Sequence, residues 1–111
     1  MVRSELAAAS AYLVSIHPDG KIRKEGISKP PGHEELHKIV DGYIELVPYF
    51  TRYNGSPCLA FCDEDGKIKG KPFNRIAHEL WEKAFGRKIT EDHLVGSIVI
   101  VAGPQKFLNR M

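Results

Sequence analysis

Leu94-Val95-Gly96-Ser97-Ile98-Val99-Ile100-Val101-Ala102 (residues 94–102) is apolar at nearly every position and is closed by Gly103-Pro104. A membrane span needs about 20 such residues, so this run is too short for one. A half-buried strand would alternate apolar and polar side chains, and this one does not. The run therefore predicts a strand covered on both faces, at the centre of a sheet.

Upstream of it, Ile76, Ala77, Leu80, Trp81, Ala84 and Phe85 fall at helical spacing, with Arg75, Glu79, Glu82 and Lys83 on the other face. Asn74 suits the N-cap of that helix and Gly86 its end. Residues 58–62 predict one arm of a hairpin, with Glu64-Asp65-Gly66 as the turn and residues 67–69 as a short return arm. The stretch YIELVPYF (43–50) is β-branched and aromatic, and Pro48, which has no N–H, marks an edge, a bulge or a strand end. A short helix is expected over 33–40, where Leu36, Ile39 and Val40 give an apolar face; Lys29-Pro30-Pro31-Gly32 precedes it and Asp41-Gly42 ends it. At the other end, AYLVSIH (11–17), the turn Pro18-Asp19-Gly20 and residues 21–27 read as a hairpin. Together these elements predict an α+β fold: a mixed or mainly antiparallel sheet of about five or six strands with two helices packed on it. One domain over residues 1–111 is expected, with a core at about 11–103 and short tails.

The composition, 42% hydrophobic and 27% charged with a formal charge of +2, is that of a globular chain without the basic excess of a dedicated nucleic-acid binder. Positive charge gathers at Lys21, Arg23 and Lys24 and again at Lys67, Lys69 and Lys71, both beside turns, where solvated hairpin ends account for it. Arg3 before Leu6-Ala7-Ala8-Ala9 resembles a leader, but Glu5 sits in the basic region and Ser10 and Ser15 interrupt the apolar run. Cys58 and Cys62, four strand residues apart, are separated by about 13 Å, beyond disulfide reach. Free thiols and no membrane segment predict a cytoplasmic protein.

His33-Glu34-Glu35-Leu36-His37 matches H-E-x-x-H, in which two histidines one helical turn apart hold zinc and the glutamate is the general base. Zinc chemistry also needs a third ligand and a rigid, buried helix; here the histidines sit in the first turns of a short helix entered through Pro-Pro-Gly. A zinc hydrolase using His33, His37 and Glu34 is thus the alternative reading, and no metal or other cofactor is the leading one. Asp63-Glu64-Asp65-Gly66 lacks the later ligands of a calcium loop and serves as a turn. Ser10, Ser15, Ser28, Ser56 and Ser97 lie in no nucleophile-elbow context, and strand thiols in apolar surroundings are inert. No catalytic residue is assigned.

For binding, Tyr49, Phe50, Arg52 and Tyr53 offer side chains able to stack on a base, a sugar or a partner's side chain. The alternative is that Tyr43 and Phe50 are core residues while Tyr49 and Tyr53 are half-buried. Glu45 is either an ion-pair partner for Arg52 or Arg75 or the outward residue of its strand.

The segments Asp41-Gly42-Tyr43-Ile44-Glu45-Leu46-Val47, Asp65-Gly66, Pro72-Phe73-Asn74-Arg75-Ile76-Ala77 and Leu94-Val95-Gly96-Ser97-Ile98-Val99-Ile100-Val101, in that order, resemble an uncharacterised family of small proteins. That family is a domain of unknown function encoded largely by phages, plasmids and other mobile elements. The positions matching its pattern are Gly42, Glu45, Gly66, Asn74, Ala77 and Gly96, and the pattern lacks the two histidines of the 33–40 helix. The resemblance implies a non-enzymatic accessory protein in a host cytoplasm. Such a protein would bind a host protein or sequester a small ligand such as a nucleotide signal, in counter-defence. Glu45, Tyr49, Arg52, Tyr53, Asn74 and Arg75 are the expected binding residues. A free sheet edge predicts a homo-oligomer; a nucleic-acid partner, through the lysine-flanked hairpins, is the third reading.

Overall fold

A computed structural model describes residues 11–111. The leader-like run at Leu6 to Ala9 lies outside the described residues, as does the N-terminal tail. β6 (Ile98–Ala102) occupies the middle of the sheet, antiparallel to β1 (Ala11–Ile16) on one side and to β5 (Ser56–Asp63) on the other. Beyond β1 lies β2 (Ile22–Ile27), and beyond β5 lie β3 (Ile44–Leu46) and the two-residue β4 (Arg52–Tyr53), both paired to the same edge of β5. Every pairing is antiparallel, which resolves the expectation of a mixed or antiparallel sheet.

The central strand is covered as its sequence requires. Ile98, Ile100 and Ala102 face one cluster with Val14, Phe50, Ala77 and Trp81; Val99 and Val101 face another with Leu36, Val40, Phe107 and Leu108. Full burial of each Val or Ile side chain contributes about 1.5–3 kcal/mol, so β6 is the main apolar contributor to both faces. α1 (His33–Val40) and α2 (Arg75–Phe85) form at the residues their periodicity marks. A third, short helix, α3 (Gln105–Leu108), buries Phe107 and Leu108, so this part of the expected C-terminal tail packs on the sheet.

Two expectations fail locally. The strand starts at Ile98, not Leu94, because Gly96 takes φ +71° and its N–H and C=O bond Pro72 O and the Asn74 side chain instead of a neighbouring strand. The return arm at 67–69 does not form either: residues 64–70 coil as successive turns, and the edge of β5 is taken by β3. The coil is drawn in by Asp63, whose carboxylate is buried and accepts from Lys69 Nζ (2.8 Å), from Lys71 Nζ (2.7 Å) and from the Asp65 N–H (2.9 Å).

Lys71 also donates to the carbonyls of Val40 (2.9 Å) and Asp41 (2.7 Å), placing a cation at the C-terminal end of α1. Around this lysine and aspartate the chain has no room for extra atoms. A Cβ on Gly42 would meet the Asp63 carboxyl group, one on Gly66 would lie 3.0 Å from a Val95 methyl, and one on Gly96 would lie 2.8 Å from the Lys71 side chain. Gly42 and Gly96, far apart in sequence, thus both abut one packed ion cluster, while Gly66 makes room for Val95 beside it.

Candidate functional site

The six residues expected to bind together are placed in different parts of the molecule. Asn74 is interior: its Nδ2 donates to the carbonyls of Ile16 and Gly96 (2.9 Å each) and its Oδ1 accepts from Ala77 N, so its amide ties β1 and the 94–97 bend to the start of α2. Arg75 is exposed and pairs with Glu79 one turn on. Glu45 lies on β3, paired with neither Arg52 nor Arg75, and Tyr43 is exposed, not core. Tyr49, 63% exposed, takes φ +64° and stacks on Phe85 with ring centroids 4.6 Å apart. Phe50, by contrast, is in the core.

Arg52 and Tyr53 do belong together. The chain reverses between β4 and β5 through Asn54 (φ +49°) and Gly55 (φ +80°), and the Arg52 guanidinium donates to Gly55 O (2.7 Å), which fixes its place over the turn. Tyr53 packs its ring on the core cluster beneath α2 while staying half-exposed. Two shallow depressions flank it. One, of about 370 Å³, runs between the turn and α2 and carries Arg52 and Lys83; the other, of about 220 Å³, carries Tyr12, Lys24 and Ser56. Tyr53 and Asn54 line both, and among the described residues no carboxylate lines either. Lys24 Nζ sits 4.6 Å from the Tyr12 ring centroid, a cation over an aromatic face.

Tyr12, Lys24 and Lys83 are absent from the sequence-based set. They come from β1, β2 and α2, and only the sheet order brings them beside the β4–β5 turn. Of the sequence signals, only the Lys21, Arg23 and Lys24 cluster pointed to one of them. The second basic cluster is consumed internally, since Lys67 pairs with Asp92 and Lys69 and Lys71 with Asp63.

The other chemical candidates are dispersed. His33 is exposed, His37 lies tilted against Tyr43 at 5.6 Å, and among the described residues no three His, Cys, Asp or Glu side chains converge as metal ligands. The Asp63 carboxylate, proposed in sequence only as part of a turn, faces two lysines. Burial pushes the Cys58 thiol up to about 12, with Arg52 opposing weakly. Burial, reinforced by Glu45 and Asp63, pushes the Cys62 thiol up to about 11. Both are protonated at neutral pH and therefore poor nucleophiles. Ser97 Oγ lies 2.6 Å from His17 Nδ1, but among the described residues no carboxylate bonds that imidazole to orient it.

Among the described residues no helix is long and apolar enough to cross a membrane. The family model that matches the sequence, over residues 12–107, is that of a domain of unknown function (DUF3846). No curated protein and no solved structure matches it.

Proposed function

The chain belongs to the DUF3846 family, a domain of unknown function, and we propose that it acts by binding a small anionic ligand with a planar ring, of the nucleotide class. In biological terms it is a non-enzymatic accessory protein of a phage or other mobile element that sequesters a nucleotide signal in counter-defence. The observation that carries the ligand class is the surface around Tyr53. Lys24, Arg52 and Lys83 supply positive charge, the half-exposed Tyr53 ring supplies a stacking face, and among the described residues no carboxylate lines either depression. Phosphate is recognised by such cations and a base by such a ring, and an arginine already held in place loses less freedom on binding.

The phage and counter-defence part of this reading rests on the resemblance of the Gly42 to Val47, Asn74 to Ala77 and Leu94 to Val101 segments to a mobile-element family. The test is titration of ATP and AMP into ¹⁵N-labelled protein. Chemical-shift changes should centre on Arg52, Tyr53, Asn54 and Lys83 and disappear in Arg52→Ala and Tyr53→Ala. Both nucleotides leaving these resonances in place, or the two variants responding like the wild type, would reject the site.

A further inference from the structure

A second concavity differs from the Tyr53 surface in size and in sign of charge. It is a cleft of about 80 Å³ between β3, the end of β5 and the 92–95 segment. Its floor is apolar, made by the buried side chains of Val47, Trp81, Leu94 and Val95. Its rim is charged. Lys67 and Asp92, both on the rim, bond each other across it, and their charges cancel.

Glu45, Glu64 and His93 remain, and among the described residues no ion pair reaches any of them. Among the described residues the hydrogen-bond contact of the Glu45 carboxylate is the Cys62 thiol, at 3.9 Å, a weak donor that stays protonated at neutral pH. The Asp63 carboxylate also faces the cleft but is already answered by two lysines. The cleft therefore combines an apolar floor with two carboxylates at its mouth that no ion pair among the described residues reaches. An apolar pocket with a few placed polar groups is the usual form of a small-ligand site.

We infer that this cleft binds a short aliphatic ammonium ion, its alkyl chain on the Trp81 and Leu94 floor and its nitrogen at the Glu45 and Glu64 carboxylates. The volume admits one such group and excludes a nucleotide. The occupant enters tail first, because the charge it must meet is at the mouth. A free amine fits this order; a lysine side chain, which leads with its charge, does not.

Trp81 is the chain's sole tryptophan, so its emission reads occupancy directly. Titration with n-butylammonium chloride, against sodium chloride at equal ionic strength, should give a saturable change, while n-butanol and sodium butyrate should give none. Glu45→Gln and Glu64→Gln should each weaken binding at least threefold, and the double variant should abolish it. Both glutamates are exposed, so unaltered circular dichroism is expected. A variant that fails to fold is replaced by ¹H–¹⁵N shift mapping of the wild type, where changes must be confined to residues 45, 64 and 92–95 and the Trp81 indole. Butanol matching butylammonium, an unaffected double variant, shifts elsewhere, or no saturable response would each overturn the assignment. None of these outcomes bears on the Tyr53 surface, which shares no lining residue with the cleft.

Discussion

Gly42 stands so close to Asp63 that a Cβ at residue 42 would lie 2.3 Å from the carboxyl carbon. Asp63 cannot swing away, because Lys69, Lys71 and the Asp65 N–H all hold it. Gly42→Ala should therefore destabilise the fold by about 3 kcal/mol, as overpacking against an immobile neighbour does. Gly32→Ala, where nothing lies within 4 Å of the added methyl, should change stability by less than about 0.5 kcal/mol. Urea unfolding of the two variants side by side checks this; equal stabilities would mean the contact is not tight.

Asp63 also makes stability depend on acid. Burial alone would raise its carboxyl, but the hydrogen bonds from Lys69, Lys71 and the Asp65 N–H outweigh burial and hold it at about 2, below its ordinary 3.8. The folded chain thus takes up this proton less readily than the unfolded chain. Its contribution, about 2 kcal/mol, is complete above the ordinary carboxyl value and is lost as pH falls through about 2. Glu91 shifts the same way through Arg87, yet that pair is exposed and contributes little. Asp63→Asn should cost about 3 kcal/mol at pH 6 by leaving two lysines unanswered. Unfolding curves for wild type and variant should converge as pH is lowered from 5 to 2, and a constant gap would contradict the assignment.

Asn74 acts through both ends of its amide. Asn74→Ala removes a cap worth about 1 kcal/mol and two bonds to buried carbonyls, for a total cost of about 3 kcal/mol. Asn74→Asp keeps the cap but turns a second oxygen toward the carbonyls of Ile16 and Gly96. It should be at least as damaging at neutral pH, measured as the shift in thermal midpoint. A near-native Asp variant would show that the two bonds to the Ile16 and Gly96 carbonyls contribute little.

Local signals made much of this architecture readable. The period of Ile76, Ala77, Leu80, Trp81 and Ala84, with Asn74 and Gly86 as punctuation, marks α2 to the residue, and the unbroken run at 98–102 marks a strand covered on both faces. What sequence could not supply was partnership. Residues 67–69 look like a return arm until Asp63, whose burial depends on β3 and on Gly42, is seen to pull the lysines inward.

The candidate site was half legible. Arg52 and Tyr53 are adjacent in sequence and line one depression together, whereas Lys24 and Lys83 come beside them only through the strand order. Asn74, a binding candidate by sequence, is buried with both ends of its amide bonded, and a cap and a ligand contact call for the same side chain.

The position of β6 has a consequence for synthesis. Among the described residues it is the last strand of the chain and the one that joins the others, with β1 and β2 on one side and β5, β3 and β4 on the other. On the ribosome, the β1–β2 hairpin and the β3–β5 ladder can each form while residues 98–102 are still in the exit tunnel. Until those residues emerge, each half presents an open edge and bare apolar faces, with no native partner yet made. Such late, long-range pairing slows folding and exposes nascent chains to one another. The fold therefore places its strongest apolar segment where it is withheld longest, and hazard in the cell should track how long translation takes to deliver it.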